Sequence, residues 1–148
     1  MPSDEVVVEL SDGRNAAARV TGVNPITDIS LIKIDSVGPW PFAPLAFTSK
    51  VAPGAPCWFV GYPSDRHGRN PLVRKTNVVG PPESDLHLLY TDSSYAQYGG
   101  DSGGGVFDVR GNVLAINEGK EPDAPGRHPR LETIRSQWNS LADETLAK

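Results

Sequence analysis

The stretch Gly99–Asp108, GGDSGGGVFD, sets one serine among five glycines, with an aspartate directly before the serine and an apolar run after the glycines. A serine hydroxyl becomes an acyl-transfer nucleophile only where it is exposed on a tight turn whose backbone amides point at the developing oxyanion. Glycines permit such a turn and leave room for a substrate backbone. The pattern therefore predicts a nucleophile at Ser102, with oxyanion-binding amides from Gly100 and Ser102. The alternative is a glycine-rich β-turn that holds an incidental serine.

The composition narrows the class of protein around this stretch. A chain of 148 residues is the size of one domain. Its 15 glycines and 14 prolines interrupt the sequence every few residues, which favours short strands and turns over long helices. The net charge of -4 is spread in mixed signs without a basic cluster, which argues against a nucleic-acid partner. The sequence thus predicts an all-β domain.

Sequence signals for cofactors and membranes are missing. Cys57 is the one cysteine, so the chain has no internal disulfide and no paired thiol ligands for a metal. We find no metal-binding motif, no nucleotide-binding loop and no cofactor signature in the 148 residues. No run reaches the roughly 18 apolar residues that span a bilayer, and the first residues lack the basic and apolar regions of a signal peptide. We expect a soluble chain with no cofactor, no metal and no membrane partner.

Apolar alternation and turn signals predict eight strands and one helix. The strands are expected at 6–10, 15–23, 29–34, 57–62, 72–79, 86–91, 105–107 and 113–117. Apolar side chains fall on both faces of the strand 29–34, which predicts that it is buried on both sides. Near the end of the chain, apolar residues recur at spacings of three and four, which indicates a terminal helix packed on its Trp138 face.

Four segments, taken in order, resemble the chymotrypsin-like serine peptidases. They are VELSDGRNAAARVTGVNPITDISLIKID, GAPCWFVGYP, YTDSSYAQYGGDSGGGVFD and GNVLAINEG. Within that family the sequence is similar to the bacterial HtrA/Deg-like and other trypsin-like peptidases that lack disulfides. The resemblance implies a double β-barrel whose first barrel is incomplete in this chain, followed by a C-terminal α-helix. It divides the single peptidase domain into the latter half of the first barrel (1–35), a connector (36–54), the second barrel (55–128) and the helix (129–148).

The resemblance also assigns roles to individual residues. It makes Ser102 the nucleophile and Asp28, in TDISLIKI, the carboxylate that orients the base, with Gly100 and Ser102 as the oxyanion amides. The substrate pocket would be lined by Ala96, Asn117, Glu118, Gly119 and His128. Because Ala96 carries no charge, we expect a small or medium apolar substrate side chain there. Asp101 is costly to bury alone, so we expect it to find an amide or a cation, or to stay hydrated.

The general base of the family is a histidine that precedes the aspartate, and this chain has no histidine before Asp28. Its three histidines, His67, His87 and His128, all follow Asp28, and none resembles the catalytic histidine segment. Loss of the base from a serine triad costs about 10⁶-fold in rate, so we expect the chain alone to be nearly inactive. Three explanations stay open: a histidine segment lies upstream, the chain is a peptide-binding pseudo-peptidase, or a partner chain donates the base.

An incomplete first barrel also predicts a partner for the chain itself. An open sheet presents unpaired backbone amides and carbonyls along its edge and leaves an apolar face uncovered. Pairing with a second copy, or with a complementing N-terminal segment, satisfies both. We therefore expect self-association or such a segment, besides a peptide or protein substrate.

Overall fold

The computed structural model describes residues 5–46, 51–64, 70–80, 88–92, 97–118 and 125–142. Across these ranges the chain forms nine strands and one helix. In order, they are β1 Glu5–Glu9, β2 Asn15–Asn24, β3 Ile29–Ile34, β4 Pro56–Gly61, β5 Leu72–Val79, β6 Leu88–Thr91, β7 Gly105–Phe107, β8 Val113–Ile116, β9 Gly126–Pro129 and α1 Leu131–Ala142. The predicted all-β class with a C-terminal helix is confirmed.

The eight predicted strands all appear, and the ninth was missed. The first two residues of the strand predicted at 86–91 lie outside the described residues. Strand β9 escaped prediction because its sequence, GRHP, has no apolar alternation and ends on a proline. Its pairing with β6, which places His128 opposite Leu89, is a tertiary contact that short-range patterns do not encode.

One compact unit comprises Met1–Pro41 and Ile134–Lys148, and it holds an antiparallel three-stranded sheet in the order β1-β2-β3. The predicted burial of β3 on both faces is wrong. Ile32 is 46% exposed, and Lys33 and Ser30 are exposed as well. Among the described residues β3 lies at an edge of this sheet, so its side chains have a neighbouring strand on one side only.

Helix residues of the same unit pack closely on β2. A β-bulge lies between Val20 and Gly22, and a Cβ on Gly22 would meet the backbone of Leu141, with the Leu141 Cα at 2.6 Å. Leu141 is buried, whereas Trp138 is 45% exposed. The predicted apolar stripe of Leu131, Ile134, Trp138 and Leu141 is buried at Leu131 and Leu141, and the expectation is wrong only for Trp138 itself.

The other unit, Phe42–Thr133, holds a six-stranded sheet in the order β8-β7-β4-β5-β6-β9. A bridge between Ala115 of β8 and Arg130, directly after β9, closes this sheet on itself. Its core is a cluster of buried residues formed by Cys57, Phe59, Val78, Leu89, Val106, Leu114 and Ala115. The closed sheet provides the frame on which the serine-bearing turn is built. No helix in the described ranges is long and apolar enough to cross a bilayer.

Candidate active site

The turn that carries Ser102 leads into β7 and depends on two glycines in the left-handed region. Gly100 has φ 90° and Gly103 has φ 84°. A Cβ on Gly100 would lie 2.8 Å from the Tyr62 carbonyl oxygen, so a larger residue would force the turn away from the end of β4. Ser102 itself is exposed. The glycines of the motif therefore present the serine at the surface in a conformation that other residues rarely adopt.

Backbone hydrogen bonds fix this turn, but two of its amides have no acceptor among the described residues. The Asp101 amide donates to the Tyr98 carbonyl at 3.1 Å, and the Gly104 amide donates to the Asp101 carbonyl at 3.0 Å. The Gly103 amide donates to the carbonyl of Asn117 at 2.9 Å. Within the described part of the chain, the amides of Gly100 and Ser102 donate to no acceptor. Free amides flanking an exposed hydroxyl are the groups that stabilise an oxyanion.

Asp101 holds the turn from below through a buried ion pair. Its side chain is completely buried, with Oδ1 2.8 Å from Nη2 of Arg74, while Oδ2 accepts the Tyr98 amide at 2.8 Å. Gly61 makes the pair possible, because a Cβ there would lie 2.5 Å from Oδ1. The Arg74 guanidinium lies over the Phe59 ring at 4.5 Å. The expectation that Asp101 finds an amide or a cation is confirmed, and it finds both.

Two of the predicted pocket residues adjoin the serine turn. Glu118 accepts a hydrogen bond from the Ser102 hydroxyl through its backbone carbonyl, at 3.1 Å. Asn117 is buried and donates from its carboxamide to the Asp101 carbonyl at 3.2 Å. The segment after β8 therefore runs directly beside the nucleophile candidate.

His128 lies in the interior of the closed sheet. Its side chain has no exposed surface, and Nε2 is 2.9 Å from the Thr91 hydroxyl oxygen. Burial lowers the pKa of His128 to about 3, so the ring is neutral near pH 7. The Ser102 hydroxyl is bonded to the Glu118 carbonyl instead, so His128 does not act as its base in this structure.

The remaining predicted residues are placed as follows. Asp28 ends the turn between β2 and β3, is exposed, and has φ 52°. Its carboxylate makes no hydrogen bond or ion pair with another residue of the described ranges. Ala96 and Gly119 lie outside the described residues, as do His67 and His87.

A cavity of about 520 Å³ opens beside Ser102. Glycines 103–105 line one side, and the other wall is formed by Val60, Tyr62 and Phe107. None of these three residues was predicted from the sequence to belong to the site. The alternation in CWFVGYP would have found two of them, because it points Val60 and Tyr62 away from the core that holds Phe59. Phe107 joins them through the pairing of β7 with β4, which is a tertiary contact. The site thus combines a hydroxyl, a mostly apolar cavity and two amides that have no acceptor among the described residues.

Comparison with known proteins places this geometry in a family. The family model described as trypsin-like peptidase domain matches residues 2–116. "Putative serine protease HhoA" of Synechocystis is 31% identical over 131 residues, which are 84% of this chain and 33% of that protein. "Putative protease Do-like 14" of Arabidopsis thaliana is 33% identical over 118 residues, 76% of this chain and 27% of that protein. The chain spans about a third or less of the length of these curated relatives.

Solved structures show the same fold. "HtrA-type protease AlgW with tripeptide" superposes with a TM-score of 0.80 and 24% identity, over 96% of this chain and 49% of that chain. The all-β architecture, the glycine-flanked turn of Ser102 and this superposition together identify a chymotrypsin-like fold. This chain belongs to the trypsin-like peptidase domain family, as a serine protease domain of HtrA type. The recognition and the fold class drawn from the sequence are confirmed.

Proposed function

We propose that this domain hydrolyses peptide bonds as part of a serine endopeptidase, with Ser102 as the nucleophile. The observation that carries the proposal is the Ser102 turn itself. The hydroxyl is exposed between two amides that have no acceptor in the described ranges, and a buried Asp101 fixes the turn beneath them. A glycine-rich turn with an incidental serine would need neither feature.

In the proposed reaction, Ser102 Oγ attacks the carbonyl carbon of the scissile bond while its proton passes to an imidazole nitrogen. The amides of Gly100 and Ser102 bind the oxygen that becomes negative. The imidazolium then gives the proton to the leaving amine, and water hydrolyses the acyl-enzyme by the same route. Asp28 orients the imidazole and stabilises its charged form.

The imidazole of this mechanism comes from outside the 148 residues. No histidine precedes Asp28, none of the three histidines resembles the catalytic histidine segment of the family, and His128 is buried against Thr91. We therefore propose that the chain alone is inactive and that an additional segment supplies both the base and a cover for the open three-stranded sheet. The exposed Ile32 and the half-buried Val6 and Val8, which share one face of that sheet, support such a cover. Pairing with a second copy is the alternative source of the cover.

Substrate preference is proposed from the pocket residues. Ala96, Asn117, Glu118, Gly119 and His128 would line the pocket for the side chain before the scissile bond. Ala96 and the neutral His128 carry no charge, and the Glu118 carboxylate lies 3.8 Å from Nη2 of Arg127, so no cation of the substrate is demanded and a small or medium apolar side chain is favoured. The similarity to AlgW, an HtrA-type protease whose structure was solved with a tripeptide, supports peptide binding by this domain.

A second candidate is a pseudo-peptidase that binds peptides without cleaving them. The hydrogen bond from the Ser102 hydroxyl to the Glu118 carbonyl favours it, because the hydroxyl is bonded to an acceptor that cannot take its proton. The apolar cavity beside Ser102 would serve such a binding module equally well.

Exogenous imidazole separates the two candidates. An activated phenyl ester is incubated with the chain and with its Ser102→Ala variant over a series of imidazole concentrations, and the difference in released phenolate is measured. A peptidase site should show a Ser102-dependent rate that rises with imidazole, and the enzyme should become acylated at Ser102 by mass spectrometry. If both proteins match at every concentration, Ser102 is not a nucleophile and the binding module is favoured.

The same preparation tests the missing base. Without imidazole, we expect casein to be cleaved no faster by the chain than by Ser102→Ala. Clear Ser102-dependent proteolysis by the chain alone would overturn the proposal that the base lies outside it.

A further inference from the structure

The turn that carries Asp28 places a non-glycine residue in the left-handed region, and the contacts around the turn favour that conformation. Asp28 has φ 52°, in the left-handed region that non-glycine residues seldom occupy. Residues in such conformations persist only where their surroundings over-determine them. The Asp28 side chain is exposed and makes no bond in the described ranges, so it does not hold the turn itself.

A single side chain of α1 ties the two ends of this turn together. Asn24 Oδ1 accepts the amides of Ile26 at 2.9 Å and, more weakly, of Thr27 at 3.4 Å. Asn24 Nδ2 then donates to Gln137 Oε1 at 3.0 Å. The Thr27 hydroxyl donates to the same oxygen at 2.9 Å. Gln137 therefore joins the residue that begins the turn to the residue that precedes Asp28.

The helix that supplies this oxygen is fixed to the same hairpin by its backbone. Gly22, two positions before Asn24, allows β2 to approach the Leu141 backbone so closely that no side chain fits between them. Leu141 lies one helical turn after Gln137, so the two contacts lie along one side of the helix. The oxygen of Gln137 is thus held at a set position relative to the turn.

We propose that Gln137 is a positioning residue for Asp28, which it holds in the left-handed conformation through Asn24 and Thr27. The inference rests on the proposed function, in which Asp28 orients the catalytic base. It adds that a residue of the helix α1 controls the backbone conformation of Asp28, and with it the direction of the carboxylate. Loss of the Gln137 acceptor should let Asp28 relax to negative φ and carry its carboxylate away from its present direction.

Nuclear magnetic resonance on the full chain tests this without catalysis. Gln137→Met removes the acceptor with little change of shape, and Gln137→Glu keeps it. Asn139→Met, at an exposed position of the same helix, is the matched control. We measure the amide-to-α-proton coupling of Asp28 and the exchange rates of the Ile26 and Thr27 amides. With Gln137→Met, the coupling of Asp28 should move away from its left-handed value. Asn24 and Thr27 each lose a hydrogen bond to Gln137, so the turn should open more often and the two amides should exchange about tenfold faster.

The proposal holds if Gln137→Glu restores both values and Asn139→Met leaves them unchanged. It is overturned if Gln137→Met leaves Asp28 as it is in the parent, or if Asn139→Met shifts it equally. If Gln137→Met fails to fold, Thr27→Val serves instead, because it removes the hydroxyl of the turn that donates to Gln137. It should change the coupling of Asp28 in the same direction. An unreactive Ser102 in the imidazole assay would defeat the proposed function and leave these measurements unaffected.

Discussion

Replacing Arg74 with methionine would leave the carboxylate of Asp101 buried without its cation. Only 11% of the Arg74 side chain is exposed, and the Asp101 side chain has no exposed surface. Methionine keeps an unbranched stem of similar reach that can still pack on the Phe59 ring, so the substitution mainly removes charge. The amide of Tyr98 stays bound to the other carboxylate oxygen.

The expected cost is large because a buried charge loses its partner. Breaking a buried pair from one side costs about 3–5 kcal/mol, against about 5–15 kcal/mol of total stability for a typical domain. Asp101→Asn should cost less, about 1–3 kcal/mol, because asparagine still accepts the Tyr98 amide and the partly exposed Arg74 can turn towards water. The double variant lacks both charges and should be more stable than Arg74→Met alone.

Urea unfolding of the parent, both single variants and the double variant measures these terms as a double-mutant cycle. The imidazole-dependent ester reaction, run on whichever variants stay folded, reports on the Ser102 turn. We expect an interaction free energy of at least about 2 kcal/mol and a lower Ser102-dependent rate in Arg74→Met.

Strict additivity of the two single variants would refute this reasoning. So would a cost below about 1 kcal/mol for Arg74→Met, which is the range of exposed ion pairs. Either result would mean that the pair does not hold the turn.

Three further predictions concern His128, Cys57 and Gly22. Burial lowers the pKa of His128 to about 3 from an ordinary 6.5, so the unfolded chain binds that proton more tightly. The free energy of unfolding should therefore fall as the pH drops from about 6.5 towards 3, and His128→Gln should flatten that slope in urea titrations compared at pH 7.5 and 4.5. Burial raises the pKa of Cys57 to about 12, so we expect no reaction of native protein with Ellman's reagent and one thiol per chain after unfolding. Gly22→Ala should push Leu141 away and cost roughly 1–3 kcal/mol in thermal unfolding, whereas Gly80→Ala, whose Cβ would find its nearest neighbour at 3.6 Å, should be tolerated; equal melting temperatures would contradict the close packing.

The serine turn could be predicted from sequence because its causes are local. Glycines at fixed positions around Ser102 specify the backbone, and alternating apolar residues specify the strands on either side. The need of Asp101 for an amide, a cation or water also followed, because a carboxylate is costly to bury unpaired. Which cation it takes did not follow, because Arg74 reaches Asp101 only through the register of β4 and β5, where it pairs with Phe59.

The errors have the same physical origin. Strand β3 has apolar residues on both faces. How far those side chains are exposed depends on what packs against each face and on the place of the strand in the sheet, and among the described residues β3 lies at an edge. The apolar stripe of α1 was correct as a helix signal. It did not show that the helix approaches β2 at Gly22, where the lack of a side chain permits the close contact.

The two sheets differ in what they offer to another molecule of the same kind. In the described ranges, the six-stranded sheet closes through Ala115 and Arg130, while the three-stranded sheet ends at β1 on one side and β3 on the other. If β1 of two copies paired with each other, a two-fold axis would close a dimer. If β1 of one copy paired with β3 of the next, each addition would recreate the same free edge, and growth would continue as a filament. The choice of edge therefore decides between a particle of fixed size and a polymer whose length follows the protein concentration.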